Sequence, residues 1–321
     1  MTRVSKCNIY HKVSTDSGFD EPCGLAIGSF DGVHRGHQAI VQNVVEQSHR
    51  LGIKARLLTF YPRPSEYFAA DKILPSLMSW REKVGFLATL GLDDVICMPF
   101  NARLSRLSAE DFVQDILLDG LKAQYLSIGE DFHFGANRGG NAALLEDMSE
   151  TVGFELAITD TQLDGDARIS STRIRQSLLE GDMDSAERML GRPYQLAGRV
   201  IQGRQLGREI GVPTANLHLK RNRLCVNGVF AAKAWLGDRA YIAVANVGYR
   251  PAVNKLDKPL LEVHLLDYDG DLYGEWLEVD LLYKMREEQE FDSLQSLVQQ
   301  IHIDIEKARD WHSGDALNIS A

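Results

Sequence analysis

The chain is poor in cysteine, lacks any apolar run of membrane length and carries no basic excess, and each shortage removes a class of function. Its 4 cysteines, Cys7, Cys23, Cys97 and Cys225, show no C-x-x-C spacing, which points to reduced thiols in a cytoplasmic protein. No apolar stretch approaches the roughly 20 residues of a membrane helix, and Met1-Thr2-Arg3-Val4-Ser5-Lys6 is not followed by an apolar signal core, so no membrane partner is expected. The formal net charge of −10 argues against a nucleic-acid partner, because counterion release needs a basic face. The same charge requires any polyphosphate site to rest on local donors and a divalent cation. Neither G-x-G-x-x-G nor G-x-x-x-x-G-K-[ST] occurs, which removes the dinucleotide fingerprint and the P-loop.

At 321 residues the chain exceeds what one core usually fills, so two domains are expected. From Leu25 to about Asp160, short apolar runs of buried-strand type alternate with helical segments. The runs are Leu57–Phe60, Val95–Met98, Tyr125–Ile128 and Phe154–Ile158. Ser79-Trp80-Arg81-Glu82 and Ser108-Ala109-Glu110-Asp111 read as helix starts. That alternation predicts a doubly wound, Rossmann-like parallel sheet, with ligands beyond the carboxyl ends of its strands. Helices at Ser171–Glu180 and Asp184–Leu190 close this half, and Gly191-Arg192-Pro193 marks the boundary. Consecutive strands then follow: Gln195–Gln202, Gly228–Leu236, Ala240–Val247, Leu260–Leu266 and Leu272–Tyr283. They predict an antiparallel β-barrel. A terminal helix from about Phe291 to Trp311 carries the apolar stripe Leu294, Leu297, Val298, Ile301, Ile305 and Ala308.

The richest segment is the strand-to-helix junction Leu25-Ala26-Ile27-Gly28-Ser29-Phe30-Asp31-Gly32-Val33-His34-Arg35-Gly36-His37. It would aim backbone N–H groups and a positive helix end at a ligand, which favours phosphate. Gly28, Gly32 and Gly36 permit close approach, and His34 and His37 can donate to phosphoryl oxygens. A solvated pair of surface histidines is the plainer reading. A zinc pair lacks further Cys or His at ligand spacing. Arg168, Ser171 and Thr172, ahead of the helix containing Arg175, form a second cluster of phosphate donors, although a serine-threonine run is often only an N-cap. In the second half, Thr214 and Asn216 are two apart and face the same way on an extended chain. Their oxygens suit Mg²⁺, a hard cation. Glu262 alternates with Leu261, Val263 and Leu265 on the opposite face.

Three segments of the first half, Gly28–Gln38, Gly129-Glu130-Asp131-Phe132-His133-Phe134-Gly135 and Ile169-Ser170-Ser171-Thr172-Arg173-Ile174-Arg175, resemble the signatures of the FMN adenylyltransferase half of the bacterial bifunctional riboflavin kinase/FAD synthetases. The second half resembles the riboflavin kinase module through Pro213-Thr214-Ala215-Asn216, Ala245-Asn246-Val247-Gly248-Tyr249-Arg250-Pro251 and Leu261-Glu262-Val263-His264-Leu265. The resemblance implies an adenylyltransferase domain over residues 1–190 and a kinase domain over 191–321. Riboflavin and ATP would give FMN, and FMN and ATP would give FAD and pyrophosphate.

The resemblance further implies that Gly28, Phe30, His34, Gly36 and His37 meet the ATP phosphates, with Arg168, Ser171 and Thr172 on the other side of the nucleotide. Phe60, Phe68, Asp131 and Phe134 would lie around the flavin or adenine, although Phe60 and Phe134 read equally well as core aromatics. In the second half, Arg208, Thr214 and Asn216 would hold Mg-ATP, with Mg²⁺ on Thr214 and Asn216, and Glu262 would be the general base. The family pattern often has Glu and His or Gln in the loop that here reads Phe60-Tyr61-Pro62-Arg63-Pro64. His133 stands where Arg is common, Asn141 where Asp is common, and Ala252 replaces a frequent Thr. A kinase with an altered adenylyltransferase half, and a non-catalytic flavin-binding sensor, are the rival readings. The number of subunits is not encoded in any motif.

Overall fold

The computed structural model describes residues 7–11, 19–68, 74–202, 211–221, 223–250 and 258–314. They form two compact units, one reaching Leu74 and including Trp80–Ser170, the other comprising Pro75–Ser79 and the chain from Ser171 onward.

The first unit alternates strands and helices: β1 (Asn8–Tyr10), β2 (Cys23–Ile27), α1 (Arg35–Leu51), β3 (Lys54–Tyr61), α2 (Pro64–Phe68), α3 (Trp80–Ala88), β4 (Asp94–Pro99), α4 (Ala109–Asp111), β5 (Ala123–Gly129), α5 (Ala142–Val152), β6 (Glu155–Thr159) and the small pair β7 (Leu163–Asp164) and β8 (Ala167–Arg168). Six parallel strands run in the order β1-β4-β3-β2-β5-β6. Every residue of β2 and six consecutive residues of β3 are buried, as expected of strands covered on both faces. The expected helix starts are real. Ser108 caps α4, its Oγ accepting from the Asp111 N–H at 3.0 Å, and α4 runs on through a π-helical stretch, Phe112–Leu118. Asn141 caps α5, its Oδ1 accepting from the Leu144 N–H at 3.0 Å. Asparagine caps a helix about as well as aspartate, so this departure leaves α5 intact. Three pieces gave no clear sequence signal: β1, α2 and the β7–β8 pair are too short for a period to register.

From β2 the chain moves through β3 to β4 on one side, then returns to place β5 on the other flank of β2. The carboxyl ends of β2 and β5 therefore flank a topological switch point, where such sheets open a crevice.

In the second unit, α6 (Ser171–Glu180) and α7 (Met183–Leu190) precede a closed barrel. Its strands are β9 (Tyr194–Ile201), β10 (Ala215–His218), β11 (Gly228–Leu236), β12 (Arg239–Arg250), β13 (Lys258–Leu265) and β14 (Trp276–Arg286), ordered β10-β13-β12-β11-β14-β9 with antiparallel pairings. Closure leaves no strand edge exposed. Leu261 and Val263 are fully buried and Leu265 nearly so, filling the interior. The expected strand at Leu272 begins later, at Trp276, because a turn extends through Gly274. β10 is four residues long and escaped the sequence reading.

The terminal helix α8 (Leu294–Ser313) is capped by Ser293, whose Oγ accepts from the Ser296 N–H at 3.2 Å. Its stripe is not wholly apolar. Leu294 is more than half exposed, and the buried residues of α8 are Asp304 and Ala308. Asp304 forms a forked ion pair with Arg286 at the end of β14, the closest contact 2.7 Å, and accepts from Gln300 at 2.9 Å. Arg309 pairs with Asp267 at 2.7 Å. The helix is thus fastened by charge as well as by apolar packing.

Two candidate active sites

In the first unit the junction after β2 lies at the switch point. Phe30, Gly32 and Val33 all have positive φ, +46°, +84° and +41°. For a β-branched valine that conformation is costly and persists only when the surroundings enforce it. His34 caps α1, its Nδ1 accepting from the His37 N–H at 3.4 Å. An accepting Nδ1 leaves the proton of a neutral imidazole on Nε2. The His34 and His37 rings stack with centroids 3.6 Å apart, and Phe30 lies 5.2 Å from the His37 ring. A Cβ at Gly36 would meet the His34 ring at 3.3 Å, a close contact that glycine avoids.

Burial, then the neighbouring charges of His34, Lys83 and Arg168, hold His37 well below the usual imidazole range. It is therefore neutral at pH 7, with one N–H to give. Its Nδ1 is buried and has no hydrogen-bond partner among the described residues. The first turn of α1 contains no acidic residue, which leaves the positive helix end uncompensated for an anion.

Arg168 in β8 pairs with Asp131 after β5 at 2.6 Å, both side chains about half exposed. The two residues expected on the phosphate and on the flavin thus meet each other. His133 engages the Asp131 carbonyl at 2.8 Å. Phe60 and Phe134 sit in the core with Phe112, the Phe112 and Phe134 rings 5.7 Å apart. Phe68 is largely exposed and packs edge-on against Phe100 at 5.7 Å. Ser171 and Thr172 open α6, which belongs to the second unit.

In the second unit, β13 lies between β10 and β12, so that Glu262 is in register with Asn216 on one side and Asn246 on the other. Registered partners share a face, and this one points away from the barrel interior. Thr214, Asn246, Glu262, His264, Arg286, Glu288 and the α8 residues Leu297, Ile301, Asp304 and Ile305 line one cavity. The His264 Nδ1 lies 2.8 Å from the Pro213 carbonyl, just before Thr214. Asn246 donates to Glu288 at 3.2 Å, while its Oδ1 is buried with no partner among the described residues. A Cβ on Gly248 would run into the Glu288 carboxylate, so glycine makes room for that contact. Arg208 and Ala252 lie outside the described residues.

Asn246, Glu288, Arg286 and Asp304 were not singled out by sequence reasoning. Asn246 had a signal in its motif; Glu288 lies in a charged run, Glu287 to Glu290, indistinguishable from a solvated loop. Among the described residues no cluster of three or more His, Cys, Asp or Glu could hold a metal, and no helix is long and apolar enough to cross a membrane.

Residues 16–173 match the family described as FAD synthetase, and residues 190–312 the family described as riboflavin kinase. A protein of Pseudomonas fluorescens described as bifunctional riboflavin kinase/FMN adenylyltransferase is 43% identical over 288 residues, covering 89% of this chain and 92% of that protein. The protein of that description from Escherichia coli K12 is 43% identical over 292 residues, with 91% and 93% covered. Among solved structures, a Streptococcus pneumoniae chain described as a macrolide-efflux protein superposes with a TM-score of 0.83 at 28% identity, covering 95% of this chain and 99% of that one.

Proposed function

The chain belongs to the bifunctional riboflavin kinase/FMN adenylyltransferase family, and from that premise we propose a division of labour between two sites built on different chemistry. The enzyme phosphorylates riboflavin with ATP to give FMN, then transfers AMP from a second ATP to FMN, giving FAD and pyrophosphate. Residues 1–190 carry the adenylyl transfer and 191–321 the phosphorylation.

The observation that carries the kinase assignment is Glu262 in register between two asparagines on a face with its own cavity. The nucleophile there is a ribityl hydroxyl, neutral at pH 7. Glu262 takes its proton as the oxygen attacks the γ-phosphorus and ADP departs. Thr214 and Asn216 offer neutral oxygens, a donor set that fits Mg²⁺ shared with phosphate and water. When bound, that ion neutralises phosphate charge. Arg208 belongs to the same nucleotide site.

Adenylyl transfer needs no such base. The FMN phosphate, with a second pKa of about 6, is largely dianionic at neutral pH. One of its oxygens attacks the α-phosphorus of ATP, and pyrophosphate leaves. His34, His37, the α1 N-terminus, Gly28, Phe30, Gly36 and Arg168 hold the growing negative charge. Asp131 releases Arg168 when phosphate arrives. Phe60, Phe68 and Phe134 border the flavin or adenine. The protein works in the cytoplasm on small molecules.

One incubation with riboflavin, Mg²⁺ and ATP, with the flavins then separated, tests the whole reading. FMN followed by FAD is expected. FMN alone removes the adenylyltransferase assignment, and no conversion removes both.

A further inference from the structure

Arg63, in the loop between β3 and α2, is buried and turns its two terminal nitrogens to two carboxylates, its Nε having no partner among the described residues. Its backbone N–H donates to Glu66 Oε2 at 2.9 Å. One terminal nitrogen donates to Glu66 Oε1 at 2.7 Å and to the Leu74 carbonyl at 3.1 Å, and the other pairs with Asp31. Asp31, equally buried, lies between Phe30 and Gly32 in the turn that leads into His34 and His37. Lys83, also buried, donates to the Ser29 carbonyl of that turn at 2.8 Å.

An anion-binding turn with a buried carboxylate inside it is self-defeating unless the charge is answered. Little water screens Asp31, so its field would oppose an incoming triphosphate. Two carboxylates and two cations meet here, and the local sum is zero only while Arg63 is present. Packing alone would not require an ion at that position, since burying one is costly. We infer that Arg63 is a positioning residue of the adenylyl-transfer site: it turns Asp31 aside and cancels its charge, and so sets how tightly the Gly28–His37 turn holds ATP. This rests on the adenylyltransferase reading of the first unit.

The test is the KM for ATP in FAD formation from supplied FMN, measured on the full chain for Arg63→Met, Asp31→Asn and the double variant. The urea midpoint of the sheet unit in the same preparations reports that it is folded, and riboflavin phosphorylation reports the same for the barrel. Charge cancellation predicts opposite signs. Arg63→Met raises the KM on the order of tenfold, Asp31→Asn lowers it severalfold, and the double variant returns close to wild type. The shifts shrink as salt is raised. A pair that merely packs the loop would weaken both single variants alike, so a raised KM in Asp31→Asn, or no change in it, overturns the inference. Should Arg63→Met not fold, Asp31→Asn and the double variant still carry the sign. A wild-type chain that makes no FAD overturns the underlying reading, an outcome distinct from all of these.

Discussion

The turn after β2 and the outer face of β13, the two proposed nucleotide sites, carry different inventories. The turn has two stacked imidazoles, a helix end free of acidic residues and one carboxylate locked to Arg63. The barrel face gathers Glu262, Glu288 and Asp304 around one cavity, with the partly exposed Arg286 as the counterion of the buried Asp304. The contrast follows from the two nucleophiles. A phosphate dianion arrives charged and needs its charge contained; an alcohol arrives neutral and needs a carboxylate to take its proton. Acidity is therefore a hazard at the first site and a requirement at the second.

The sharpest way to break that contrast is Glu262→Gln. FMN formation should fall by about 10²–10⁴-fold while FAD formation from added FMN is unchanged; equal losses, read by separating the flavins, would abolish the distinction. His37→Ala is the mirror experiment, with FAD formation lowered by roughly 10²-fold and riboflavin phosphorylation intact.

Next in size is the fastening of α8. Asp304→Ala removes the fork that holds Arg286 and should destabilise the barrel by about 1.5–3 kcal/mol, read as a lower urea midpoint. The sheet unit should not respond.

The smallest effect is one of pH. His37 is held below its ordinary pKa by burial and neighbouring cations, so the unfolded chain binds a proton near pH 6.5 that the native turn refuses. Stability of the first unit is thus full above that value and declines as pH falls below it, by up to about 1.4 kcal/mol per pH unit. Denaturant midpoints at pH 7.5 and 5.5 measure this. In the chain without substrate, the His37 imidazole should show no titration near pH 6.5 by NMR. An inflection there would mean that His37 titrates normally and that the turn is wetter than its packing indicates.

Much of this was legible in the chain before folding. Alternating runs announced the parallel sheet, consecutive strands the barrel, and Ser108 the start of its helix, because period and capping are local properties. The Gly28–His37 junction stood out for the same reason. Partnerships made across the fold did not. Arg63 reads as a loop arginine until β3 brings it against Asp31, and Asp304 reads as a blemish in an apolar stripe until β14 supplies Arg286. Arg168 and Asp131 carried separate expectations, yet the structure pairs them.

Sequence alone determined most of the elements that form and which segments are the candidates for the two chemistries, since hydrophobic period, caps and short motifs act over a few neighbouring residues. Tertiary structure decided which charges face one another, how neutral His37 becomes and which side chains share the cavity of Glu262. Electrostatic energy depends on distance and burial, and only the folded chain fixes those.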